Sequence, residues 1–137
     1  MVYCFGGGWL FSMAQMGVIM KAKLCDFNYN YFPHLDKNEL QTIKEREAYN
    51  FSFCFKVFDE KETFYVVLDV DKESVHVRHI GGSFAWKWKH IEQLCRVVAK
   101  EINLEKITVV ADKSFMVFAV GRLGFEQSNG DIYEKVI

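Results

Sequence analysis

KSFMVFAVGRLGF, residues 113–125, runs directly into EQSNGDIYEKVI, residues 126–137, and these two segments decide the fold. The first predicts a short helix with a sharp stop. Gly124 falls where a helix C-terminus needs a residue without a Cβ, and Phe125 then starts an extended segment. Asn129-Gly130 lies between Phe125–Ser128 and Asp131–Ile137, the strongest short-range hairpin signal a sequence carries. Helix, stop and hairpin form one unit.

Upstream of that unit the hydrophobic period changes twice. Phe84, Trp88, Ile91, Cys95, Val98 and Ile102 recur at spacings of four and three, which predicts an amphipathic helix ending near Asn103. Lys106–Ala111 is a short Ile/Val-rich run, suited to a buried strand and too short for a helix. Before the helix, Gly81-Gly82-Ser83 breaks the pattern of Val75–Ile80. Strand, helix and strand make a β-α-β unit, whose right-handed crossover sets Val75–Ile80 and Lys106–Ala111 parallel.

Earlier still, Phe51, Phe53, Phe55 and Val57 alternate with Ser52, Cys54 and Lys56 within Tyr49–Phe58, a period of two that predicts a strand with one buried face. Phe64–Val70 and Val75–Ile80 flank the polar connection Asp71–Ser74, so three antiparallel strands follow one another. Between Pro33 and these strands, His34–Tyr49 reads as a surface helix carrying Leu35, Leu40, Ile43 and Ala48. Asp36 is its N-cap and Glu39, three residues on, completes a capping box. The fold class is therefore α/β (α+β): a mixed, mainly antiparallel central sheet with flanking helices. Its core is predicted to contain Phe53, Phe55, Val66, Leu68, Val77, Trp88, Ile91, Cys95, Val98, Val109 and Phe125.

Composition narrows the function classes. A chain of 137 residues, half of them apolar, holds one real core and is too short for two ordinary domains. Its net charge of −1 supplies no long-range field to draw nucleic acid or an anionic membrane, so neither is an expected partner. Trp86 and Trp88, mixed with Lys87, Lys89 and His90, are an aromatic-basic cluster of the kind that stacks on single strands. The overall neutrality favours a core role instead. Cys4, Cys25, Cys54 and Cys95 contain no C-x-x-C pair and read as reduced thiols in a cytoplasmic setting. No metal site is expected: His76 and His79, three apart on a strand, point to opposite faces.

Residues 1–20 carry no charge and precede Lys21-Ala-Lys23. A membrane anchor is weighed there against a strand and turn, an oligomer contact, or a start upstream of Met20. Three consecutive glycines, Ser12 and Gln15 argue against the anchor. The chain is thus read as an apolar segment 1–20 and a single domain over 21–137.

Over roughly residues 49–137 this order of elements resembles the GCN5-related N-acetyltransferase fold. Two motifs accompany the resemblance. Arg78-His79-Ile80-Gly81-Gly82-Ser83 is similar to the family's Arg/Gln-x-x-Gly-x-Gly/Ala turn, whose backbone N–H groups take the pyrophosphate of acetyl-CoA at a helix start. The resemblance therefore implies Arg78, Gly81, Gly82 and Ser83 as cofactor-binding residues and acetyl-CoA as the cofactor. The second motif, Asn-x-x-Ala-x-x-x-Tyr-x-x-x-Gly-Phe, keeps Gly124-Phe125. It places Lys113, Met116 and Val120 where the family has Asn, Ala and the Tyr that often protonates the departing thiolate. Val120 cannot donate a proton. His76 is the candidate catalytic base on pKa grounds. The resemblance implies acetyl transfer to a small-molecule or protein amine. The alternative is a catalytically silent module for binding or assembly, such as the worn acetyltransferase-like proteins among tailed-phage gene products, virion components included.

Overall fold

The computed structural model describes residues 10–12, 21–82 and 88–137. Along the chain run β1 (Leu10–Ser12), β2 (Lys21–Cys25), a short 3-10 turn (Tyr29–Tyr31), α1 (Lys37–Ala48), β3 (Ser52–Phe58), β4 (Thr63–Val70) and β5 (Ser74–Gly82). There follow α2 (Trp88–Glu101), β6 (Lys106–Val110), α3 (Ser114–Arg122), β7 (Glu126–Asn129) and β8 (Ile132–Val136). The strands form one sheet in the order β1-β2-β3-β4-β5-β6-β8-β7. β5 and β6 are parallel, Ser74 opposite Lys106 and Val77 opposite Val109, as the β-α-β reading requires. The other ladders are antiparallel.

Two apolar layers cover the sheet. On one face α2 packs over Phe53, Phe55, Val57, Val66, Leu68, Val75 and Val77, and all eleven residues expected in the core are buried there. α2 owes its place to its apolar stripe, and Ile91 through Cys95 are all buried. On the other face a smaller cluster joins Phe27, Phe32 and Ile43 of the α1 side to Cys54 and Val67 of the sheet. This second cover corrects the reading of β3 as a strand with one buried face: Ser52 and Cys54 are as buried as Phe53 and Phe55, while Phe51 stands out in solvent before the strand begins.

The C-terminal unit forms as its residues predict. Phe125 N–H donates to Val120 C=O and Gly124 N–H to Gly121 C=O, both at 3.1 Å, with Gly124 at φ +92°. This 6→1 and 5→2 pair is the Schellman arrangement, and Val120 and Phe125 share the core beneath it. The hairpin turns one residue later than expected. Asn129 pairs with Ile132, leaving Gly130 (φ +55°) and Asp131 at the turn.

β2 has no counterpart in the sequence reading, and β1 falls in residues 1–20, where a strand and turn is one of the readings weighed. Lys21–Cys25 is short and half charged, and it is a strand because β3 offers it a ladder from Lys21–Phe58 to Cys25–Cys54. Of residues 1–20, Leu10–Ser12 pairs with β2. Expectations for the other residues of that segment, and for Cys4, lie outside the described residues. Among the described residues no helix is long and apolar enough to cross a membrane.

Candidate active site

The site begins with one inserted residue. β4 and β5 keep an unbroken register from Val70–Val75 to Leu68–Val77, and then Val67 pairs with His79, leaving Arg78 as a bulge. Before the bulge Val75 and Val77 face α2. After it the alternation is reversed, and Ile80 packs on the α2 core while Gly81 packs on the α1 side. The expectation that His76 and His79 point to opposite faces is corrected by this shift, because the extra residue brings both to the α1 face.

There they join a polar network. Asp36 caps α1 by accepting from Glu39 N–H at 2.8 Å. The Glu39 carboxylate, expected to reach back to the cap, accepts from Arg78 NH2 at 2.7 Å and from His79 Nε2 at 3.0 Å. Arg78 NH1 donates to Asp69 Oδ2 at 2.6 Å. The other Asp69 oxygen accepts from the Ser52 hydroxyl at 2.5 Å, and Ser52 in turn accepts from Arg46 Nε at 3.0 Å. Burial pushes the Glu39 carboxyl up, but the hydrogen bonds from Arg78 and His79 outweigh it and hold Glu39 below the usual carboxylate range.

His76 sits beside this network, opposite Asp69 on β4 and Thr108 on β6. Its Nδ1 lies 2.7 Å from Thr108 Oγ1. Burial pulls the imidazole below its ordinary pKa, against the opposing pull of Asp69, so His76 is neutral at pH 7. A neutral ring with one nitrogen held by Thr108 has its other nitrogen, Nε2, to offer a proton donor.

The bulge also ends the pairing of β5 with β6. Val77–Val109 is their last ladder pair, although β5 runs on to Gly82 and β6 to Val110. The two strands part there, and on the α2 face Val77, Val109, Trp88, Leu123 and Phe125 line a cavity of about 10 Å³ at the fork. That is room for about one water.

The expected cofactor residues take distinct places. Arg78 commits its guanidinium to Asp69 and Glu39, and what it brings to the fork is the bulge in its backbone. Gly81 and Gly82 belong to β5, opposite Tyr65 and Phe64, and do not form a free turn. A Cβ on Gly81 would overlap the Tyr31 carbonyl oxygen. Gly82 has φ +88°, a conformation that favours glycine. Ser83 lies outside the described residues, as do Trp86 and Lys87. Lys89 is exposed and Trp88 is in the core. Val120, at the place of the family tyrosine, is fully buried. Sequence reasoning missed Glu39 and Thr108 as site residues: Glu39 joins the site through the packing of α1, and Thr108 through the β5–β6 register opposite His76.

No protein-family model matches the sequence, and no curated protein matches it. Solved structures do. An acetyltransferase from Streptococcus agalactiae 2603 superposes with a TM-score of 0.64 at 13% identity, covering 86% of this chain and 98% of its own. A Bacillus subtilis acetyltransferase in complex with CoA gives 0.60 at 14% identity, covering 78% of this chain and 77% of its own. A mutant of the AtaT toxin, bound to the C-terminus of the antitoxin AtaR and to acetyl-CoA, gives 0.53 at 11% identity, covering 85% and 92%. The sheet order, the parallel β5–β6 pair and these likenesses identify the fold as that of the GCN5-related N-acetyltransferases.

Proposed function

We propose that the domain over residues 21–137 binds an acyl-CoA at the fork between β5 and β6 and transfers its acyl group to an amine at a low rate. The observation that carries this reading is the parting of β5 from β6 after Val77–Val109. Backbone groups of Arg78–Gly82 that no longer pair with β6 suit the amide-bearing arm of coenzyme A, which would add to the strand edge. The pyrophosphate would meet the backbone at Gly82-Ser83, ahead of α2. A cavity of about 10 Å³ must widen to admit a thioester, by movement of the α3 turn that carries Leu123.

His76 is the proposed base. With Nδ1–H donating to Thr108, its Nε2 would take the proton of an amine approaching from the α1 face. The amine nitrogen would then attack the thioester carbonyl and release the thiolate. Nothing at Val120 protonates that thiolate, and water would have to do so. Loss of a positioned acid costs about 10²–10⁴-fold in rate, so binding and turnover separate. This separation also supports the second reading, a silent module that uses the same cleft for binding or assembly.

Calorimetric titration with acetyl-CoA tests the proposal, paired with hydrogen exchange. Binding with new protection of the Arg78–Gly82 amides is the expected result. No heat and no protection at millimolar ligand would remove the enzyme reading and leave the silent module.

A further inference from the structure

Cys25 ends β2 and Cys54 lies on β3, and the two are direct ladder partners with their sulfurs 3.6 Å apart. Directly opposed residues of an antiparallel pair have Cα atoms about 4.5–5.5 Å apart, within the span a disulfide bridges. The two thiols line a surface pocket of about 380 Å³, walled on the α1 side by Lys44, Glu47 and Ala48. Cys25 is half-buried and Cys54 fully buried. One sulfur is thus open to a small reagent, and the second waits behind it. Cys95, by contrast, is enclosed in the α2 core.

We propose that Cys25 and Cys54 are a peroxide-oxidised pair, with Cys25 the reacting thiol and Cys54 the resolving one. The Cys25 sulfur attacks the terminal oxygen of a hydroperoxide. The O–O bond breaks, the alcohol or water leaves, and Cys25 becomes a sulfenic acid. The Cys54 sulfur then attacks the Cys25 sulfur. The S–S bond forms, the S–O bond breaks, and the hydroxide leaves as water with the Cys54 proton. The dithiol gives up two electrons and the peroxide takes them. The hydrogen bond with Cys54 favours the Cys25 thiolate over the burial that opposes it, while Cys54 is pushed far up, which matches this division of roles.

The product is a staple between β2 and β3 that needs no strand to move. Beside it Glu47 of α1 accepts from Phe27 N–H at 2.8 Å, so the staple also holds the chain that leaves β2 for α1. It lies apart from the β5–β6 fork and does not depend on acyl transfer.

The test uses the full-length reduced protein with Cys4→Ser as background, treated with hydrogen peroxide and read by peptide mass spectrometry. The expected result is a Cys25–Cys54 linkage with two thiols lost, and a melting temperature raised by about 5 °C or more. In Cys54→Ser the sulfenic acid should persist at Cys25 and be trapped by dimedone, with labelling at least about ten-fold above that of Cys54 in Cys25→Ser. A linkage through Cys95, faster labelling of Cys54, or four-fold excess peroxide leaving both thiols free would each overturn the proposal.

Discussion

Replacing Arg78 by Met tests the polar network that fixes the bulge. The methionine keeps most of the apolar stem and removes a guanidinium that donates to Asp69 at 2.6 Å and to Glu39 at 2.7 Å. Asp69 is the more buried partner, its side chain 12% exposed against 28% for Glu39. A charged hydrogen bond to a buried group is worth about 1.5–3 kcal/mol, and the more exposed one about 1. Asp69 retains Ser52, and Arg46 at 3.5 Å, which limits the penalty for an abandoned carboxylate. The expected loss is about 3 kcal/mol. For 137 residues this corresponds to a fall of about 10 °C in melting temperature, readable by calorimetry at pH 7. The effect should be pH-dependent with a definite sign. Glu39 is held below its ordinary value, so its share of the stability is present above the unfolded carboxylate pKa and lost as pH falls through the folded one. The gap between Arg78→Met and the parent should therefore narrow towards pH 3. A melting temperature within about 2 °C of the parent at pH 7, or a gap that stays constant into acid, would refute the view that this fork is shielded enough to matter.

Gly81→Ala should unfold the domain or lower its melting point steeply, because the new methyl would overlap the Tyr31 carbonyl oxygen; Gly121→Ala, with open space at its Cβ, should be neutral or stabilising by about 0.5–1 kcal/mol in the same thermal scan. Ile91→Asp and Val98→Asp should each cost several kcal/mol against a total of about 5–15, and unchanged melting of both would mean that α2 presents a different face to the sheet. If His76 is the base, acyl transfer should rise with pH through an inflection below the ordinary histidine value, since burial lowers its pKa, and His76→Gln should abolish that inflection while leaving acetyl-CoA binding intact. Protein beginning at Met20 loses β1 from the sheet edge and should still fold, which circular dichroism would check.

The architecture was legible because its signals are local. The 3.6 period from Trp88 to Ile102 and the Gly124-Phe125 stop each follow from a few neighbouring residues, and both appear where they were read. The second cover of the sheet was not legible, since α1 has only Ile43 fully buried and looks like a solvated helix from its own sequence. Its capping box was read correctly at Asp36 and misread at Glu39, whose carboxylate goes to partners 39 and 40 residues away.

The candidate site was hardest to read for a reason of the same kind. Strict alternation over Val75–Ile80 puts His76 and His79 on opposite faces, and no residue in that run announces a bulge. The energetic case for one appears only when Glu39 and Asp69 are both in place. Arg78 then finds two carboxylates on the α1 side, and His79 a third contact with the same Glu39, which an unbulged strand would forgo by turning one of the two toward the apolar α2 core. The same insertion carries β5 away from β6 after Val77. The polar network and the open fork therefore have one cause, and relaxing the first should close the second. Arg78→Met should weaken acetyl-CoA binding even though its guanidinium is turned away from the fork, whereas a variant that loses stability without touching the bulge or the cavity, such as Ile102→Val, should bind as the parent does.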